Sequence, residues 1–165
     1  MNKRNINELD DIHNLITTNG GKAWRLFTIT PIGRAKNNNE LQLNAEEFTY
    51  LMEFIKDKRK KGLDVKFSCE GYTGNYEGDI RDGFFFCRAG VNVASVLIDG
   101  SIGACPNIDR NFIEGNIYED KFMDIWNRGY DVYRNRNWTK TGKCATCKEY
   151  KYCKGNGMHY WTKDK

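Results

Sequence analysis

Proline is nearly missing from this sequence, with only Pro31 and Pro106 in 165 residues. Nothing here can therefore serve as a Pro-rich linker. Long apolar runs are missing too, and none approaches the ~20 residues that a helical membrane span needs. The opening segment, MNKRNINELDDIHNL, has no apolar stretch of the secretion-signal kind. Charge of one sign is scarce: the net charge is +4, far from the dense basic tracts of dedicated nucleic-acid binders. These absences lead us to expect a soluble, cytoplasmic protein with no membrane and no nucleic-acid partner. Hydrophobic residues make up 39% of the chain, enough for one modest core or two small ones.

What the sequence does have is cysteine: Cys69, Cys87, Cys105, Cys144, Cys147 and Cys153. In a secreted chain six cysteines suggest disulfides, whereas in a reducing compartment the same count suggests metal binding or redox chemistry.

The first part of the chain has α/β grammar. Residues 8–18 place Leu9, Ile12, Leu15 and Ile16 at helical spacing before Gly20-Gly21. His13 on that helix is expected to be solvated. Residues 24–30 (WRLFTIT) predict a buried strand, ended by Pro31 and Gly33. Asn44 and Glu47 form a capping-box pattern. The helix they open carries Phe48, Leu51, Met52 and Ile55 on one face and stops at Gly62 after a basic last turn. Residues 64–68 (DVKFS) predict another short strand. A helix–strand–helix–strand order is that of parallel α/β units, and two parallel strands alone leave faces uncovered. Arg34 and Glu70 flank the strand ends, as functional groups or as a structural ion pair.

After Cys69 glycine and cysteine become frequent. Residues 91–98 and 101–105 flank Asp99-Gly100, which predicts a hairpin with a type I′ turn. Residues 122–133 predict one helix with Phe122, Ile125 and Trp126 inward, although Gly129 weakens it. Trp126, Trp138 and Trp161 are expected to pack rather than to bind substrate.

Cys144-x2-Cys147 can turn two sulfurs inward from one loop, and Cys153 follows five residues later. The hairpin folds Cys105 back toward Cys87. From position 134 onward there are nine Lys or Arg and two Asp or Glu. Such cations offset the negative charge of thiolate-ligated clusters, or form a solvated tail. Cys69 is open between a ligand and a buried free thiol.

Taken together, Cys87-x12-Gly100-x4-Cys105, a gap, and Cys144-x2-Cys147-x5-Cys153 resemble the SPASM domain of radical-SAM enzymes. The segments Ile98-Asp99-Gly100-Ser101-Ile102 and Gly115-Asn116-Ile117 resemble its hairpin and middle section, and WRLFTITPIGRA from Trp24 resembles a late barrel strand of such enzymes. The resemblance implies an α+β chain in which residues 1–68 are the last β/α units of a partial TIM barrel. Residues 69–165 are then a small cysteine-rich auxiliary-cluster domain with a β-hairpin and short helices. It implies one or two 4Fe-4S clusters, with Cys87 and Cys105 serving the first and Cys144, Cys147 and Cys153 the second. Cys69 would be a further ligand of the first. It also implies a peptide or protein substrate for the parent enzyme, and substrate binding or electron relay for this domain.

Three departures stand against the family pattern. The C-x3-C-x2-C motif of the catalytic cluster is not in the chain, so S-adenosylmethionine is expected to bind only in the intact enzyme, and this chain alone is expected to be inactive. Gly157 stands where the family has a cysteine, and the last family cysteine has no counterpart. A fragment, or a half-enzyme with a separate chain carrying the other barrel half, is the expectation that follows. A zinc module built from Cys144, Cys147, Cys153 and His159 is the competing reading; it leaves Cys87 and Cys105 without a role.

Overall fold

The apolar run at 24–30 becomes a strand only at its start. In the computed structural model, which describes residues 1–68 and 70–162, helix α1 (Leu9–Thr18) leads into strand β1 (Ala23–Leu26). Helix α2 (Ala45–Lys60) and strand β2 (Asp64–Phe67) follow. The two strands pair in parallel, with Trp24 opposite Val65 and Leu26 opposite Phe67. Alternation decides their faces. Leu26, Val65 and Phe67 are buried, whereas Ala23, Arg25 and Asp64 are exposed. The strand expected to be buried on both sides is therefore covered on one side only.

The covered face packs against α2, whose Leu51, Met52 and Ile55 are fully buried. Each such side chain contributes about 1.5–3 kcal/mol by leaving water. The capping box is formed as the sequence suggests. Asn44 Oδ1 accepts from the Glu47 amide at 2.8 Å, and Glu47 Oε2 accepts from the Asn44 amide at 2.7 Å. Asn44→Ala is expected to cost about 1 kcal/mol, read as a lower urea midpoint at unchanged slope; an unchanged midpoint would contradict the cap's contribution.

Helix α1 turns a different stripe inward from the one expected. Leu9 is buried but Leu15 is 66% exposed, and His13 is buried at 9% exposure against the Trp24 ring, centroids 6.2 Å apart. The sequence period located the helix but not its rotation, which the bulky Trp24 sets.

A short helix α3 (Glu77–Ile80) also belongs to this first unit. Ile80 joins the first core, and the Phe85 amide donates to Glu77 at 2.6 Å. The chain divides into two compact units, Met1–Phe85 and Phe86–Lys165. The cysteine-rich texture begins before the first core is complete.

In the second unit, strands β3 (Ser95–Val96) and β4 (Ser101–Gly103) form the expected antiparallel hairpin, and β5 (Gly115–Asn116) adds a third strand. The turn is not type I′. Only Gly100 is left-handed, at φ +81°, and its amide donates to Leu97 O at 2.9 Å. This is the longer loop in which a turn is followed by a left-handed glycine. The expected single helix over 122–133 is broken into α4 (Phe122–Arg128) and α5 (Asp131–Arg134), because Tyr130 adopts φ +68° after Gly129. The break turns Tyr130 and Tyr133 into the core, both fully buried, while Phe122, Ile125 and Trp126 pack at its margin. Trp138 and Trp161 pack there too, ring to ring at 5.1 Å. The last helix is α6 (Tyr150–Cys153). The chain is thus mixed α+β, with one small parallel and one small antiparallel sheet. Among the described residues no helix is long and apolar enough to cross a membrane.

Candidate iron–sulfur site

The five described cysteines are all free thiols in the second unit, Cys147 exposed and the other four partly buried. Cys69 lies outside the described residues. The other cysteines fall into two groups.

Cys144, Cys147 and Cys153 come from a staircase of turns. The Cys147 amide donates to Cys144 O at 3.4 Å, the Tyr150 amide to Cys147 O at 3.2 Å, and the Cys153 amide to Glu149 O at 2.9 Å. Cys153 closes α6. Lys154, Gly155 and Asn156 then all take positive φ, at 51°, 80° and 67°. A run of left-handed residues is rare, and it curls backbone N–H groups into the kind of concavity that receives anions. The Gly155 and Asn156 amides act on the Cys153 thiol. Burial pushes that thiol's pKa up; these amides oppose the shift, and the Cys144 and Cys147 sulfurs add to it. The three sulfurs are therefore within electrostatic reach of one another.

Cys87 and Cys105 form the second group. Both pack against the core around Ile102, Phe112, Tyr130 and Tyr133. Cys105 stands just beyond β4, and Cys87 precedes a turn at Gly90 (φ +68°) whose missing Cβ would lie 2.5 Å from the Tyr133 Cβ. Tyr133 is the common neighbour. Its hydroxyl donates to Phe112 O at 2.8 Å, and its pKa is raised by burial first, then by Glu114 and Tyr130, then by the Cys105 and Cys87 sulfurs.

Arg136, read only as part of a basic tail, joins the two groups. Its side chain is buried at 5% exposure. Nε donates to Tyr133 O at 2.9 Å, Nη2 to Cys87 O at 2.5 Å, and the guanidinium stacks 4.5 Å from the Phe86 centroid. Its carbonyl accepts from Thr139 Oγ1 and from the Tyr150 hydroxyl, both at 2.7 Å. Tyr150 opens α6, so one residue fixes the Cys87 segment and the Cys153 helix together. Thr139 is fully buried, and Gly155 has no room for a Cβ beside it, 2.3 Å from Thr139 Oγ1. No local pattern marks Arg136 among its basic neighbours; only its contacts do.

Among the described residues no three His, Cys, Asp or Glu side chains close on a point as they would around a single metal ion. Neither the Cys3His set with His159 nor Cys144, Cys147 and Cys153 by themselves are drawn together as an ion site. A cluster is larger than an ion and takes all-thiolate donors spread around it. Five free thiols, amides aimed at one sulfur and a cation beside another fit that group.

The two residues expected at strand ends do not pair with each other. Glu70 accepts from the Thr28 amide at 2.7 Å and from Thr28 Oγ1 at 2.8 Å, with its pKa raised chiefly by burial. Arg34 is exposed.

Residues 87–148 match the SPASM family, an iron–sulfur cluster-binding domain. Over 94% of its length the chain is similar to two AdoMet-dependent heme synthases. It is 23% identical to that of Nitratidesulfovibrio vulgaris, covering 46% of that protein, and 24% identical to that of Methanosarcina barkeri, covering 48%. A third, from Oleidesulfovibrio alaskensis, is 23% identical with 44% covered. The chain therefore spans just under half the length of the curated relatives it matches. No solved structure matches it. A SPASM iron–sulfur domain at 87–148, within a chain distantly homologous over most of its length to AdoMet-dependent heme synthases, makes this a relative of the radical-SAM enzymes that carry SPASM domains.

Proposed function

We propose that the second unit holds one or two 4Fe-4S clusters as an auxiliary-cluster domain, with Cys87 and Cys105 ligating one and Cys144, Cys147 and Cys153 the other. The observation that carries this reading is that Cys144, Cys147 and Cys153 lie along one staircase of turns and that the Asn156 and Gly155 amides just beyond it act on the last sulfur. Cys69 is a candidate further ligand of the first cluster. Each group has fewer than four sulfurs, and for the first of them Gly157 stands where the family has a cysteine. A bound cluster supplies one-electron transfer, or an open iron that binds substrate. The protein's own residues hold it: the curled loop at 154–156 and Arg136 orient the sulfurs, and Tyr133 and its aromatic neighbours keep water from Cys87 and Cys105.

The first unit we read as the last β/α units of a partial TIM barrel. Its parallel pair with one uncovered face supports that reading, as do the relatives' names, which speak of AdoMet-dependent chemistry. AdoMet cleavage belongs to a whole enzyme, in which further barrel strands, on the same or a separate chain, complete the sheet. For its substrate the relatives' names support a heme-forming reaction over the peptide or protein expected from the family at large. We place the protein in the cytoplasm, where thiols stay reduced.

The test is anaerobic reconstitution of the full chain, followed by iron, sulfide and zinc analysis and electron paramagnetic resonance of the reduced protein. About four or eight irons with matching sulfide are expected, and Cys87→Ala should lower both. Stoichiometric zinc without sulfide, unchanged by Cys87→Ala, would replace this reading with a zinc-stapled module.

A further inference from the structure

The Arg136 guanidinium has three nitrogens and two protein acceptors. Nε and Nη2 are bonded to Tyr133 O and Cys87 O. Nη1 is buried and meets no acceptor among the described residues. A buried cation with an unused donor is costly, and such a group asks for a partner that the protein atoms do not provide. Cys87, whose carbonyl the same guanidinium holds, offers a side-chain sulfur as a candidate. Nη2 already lies 2.5 Å from the Cys87 carbonyl oxygen, which places the fork beside that residue. A neutral thiol is a weak acceptor. A thiolate bound to iron, with sulfides beside it, is a far stronger one.

We infer that Arg136 is a positioning residue for the iron–sulfur centre at Cys87, donating Nη1 to a sulfur there and raising that centre's reduction potential. The inference rests on the reading of Cys87 as a cluster ligand. Its physical basis is that hydrogen bonds to cluster sulfurs, and the cluster's net charge, set the potential. The reduced centre carries one more negative charge than the oxidised one, so a fixed cation and donor stabilise the reduced form more. Lysine cannot substitute. It keeps the charge, but its single ammonium has no planar fork with which to reach Tyr133 O, Cys87 O and a sulfur at once. The carbonyl of residue 136 and its bonds to Thr139 and Tyr150 are main-chain features and survive the substitution.

The experiment is a redox titration of the anaerobically reconstituted full chain, followed by electron paramagnetic resonance. The signal to follow is the one that Cys87→Ala removes. Arg136→Lys is expected to keep wild-type iron and sulfide and to shift the reduction equilibrium of that signal about tenfold toward the oxidised form, about 59 mV for one electron. Lys140→Met removes an exposed charge, 5.8 Å from the Tyr150 ring, and is expected to leave the potential within a third of that shift. A loaded Arg136→Lys protein at the wild-type potential overturns the inference, as does an equal shift in Lys140→Met. If Arg136→Lys fails to load, wild-type protein labelled with 15N-arginine decides the matter by pulsed resonance. A nitrogen coupling to the reduced centre supports the hydrogen bond, and its absence overturns it. If wild-type protein itself loads no iron and sulfide, the cluster reading fails first and takes this inference with it.

Discussion

Cys153→Ala is expected to strip the iron of one whole cluster while leaving the centre at Cys87 and Cys105 in place. Of its group, Cys153 is the sulfur on which the others converge. Cys144 and Cys147 both act on it, the Gly155 and Asn156 amides turn toward it, and it sits at the end of α6, which is anchored by the Tyr150 hydroxyl on Arg136 O. Cys147, by contrast, is exposed and on a looser turn, its amide 3.4 Å from Cys144 O. Removing Cys153 takes away a proposed ligand, and cluster affinity is expected to fall by about two orders of magnitude or more. The roughly 10–100-fold cost of losing an outer-shell partner is a floor for losing a ligand. Iron and sulfide analysis after anaerobic gel filtration reads the outcome. Gly155→Ala is the companion variant. It keeps every sulfur but forces a side chain into Thr139 at a left-handed position, so it should lower iron retention in the same direction by less. Wild-type iron content in Cys153→Ala would remove Cys153 from the ligand set.

Glu77→Ala is expected to destabilise the first unit by about 3–5 kcal/mol, the cost of breaking a buried, hydrogen-bonded charge pair. Glu77 is 1% exposed. Its Oε1 accepts from the Thr73 amide at 2.7 Å and the Thr73 hydroxyl at 2.8 Å, and its Oε2 from the Phe85 amide at 2.6 Å. Arg81, itself buried, lies 3.7 Å from Oε1 and between the Phe67 and Phe85 rings. Alanine would orphan these donors and remove a carboxylate 3.7 Å from the Arg81 guanidinium. Glu77→Gln keeps the shape and one acceptor oxygen, so its loss should be smaller. Amide hydrogen exchange over residues 71–85, with urea unfolding of the whole chain, reads both variants. A Glu77→Ala protein within about 1 kcal/mol of wild type would mean that the loop simply rearranges. The surface pairs on the same unit, such as Lys58 with Asp10 at 2.7 Å, carry far less, about 0–1 kcal/mol each.

The local patterns that survive into the structure are those whose cause is local. The Asn44–Glu47 box, the stop at Gly62 and the hairpin between residues 95 and 103 depend on residues a few positions apart, and each is readable from the chain. The cysteine spacing is of the same kind only as far as the backbone goes: turns of fixed length string Cys144, Cys147 and Cys153 along one short stretch, without closing the three on a single point. What failed depends on partners far along the chain. The face of α1 that turns inward is set by Trp24, and the break at Tyr130 by the space available to two tyrosines.

Arg136 marks the same division most sharply. The sequence shows an arginine in a run of basic and polar residues, and composition can say only that the tail is positively charged. Its placement depends on three contacts at separations of 3, 14 and 49 residues: Tyr133 O, the Tyr150 hydroxyl and Cys87 O. Cysteine identity and spacing are chemistry written in the chain, because a thiolate binds iron wherever the backbone puts it. Which cation stands beside which sulfur is settled by packing, since a guanidinium is buried only where the fold supplies carbonyls to receive it.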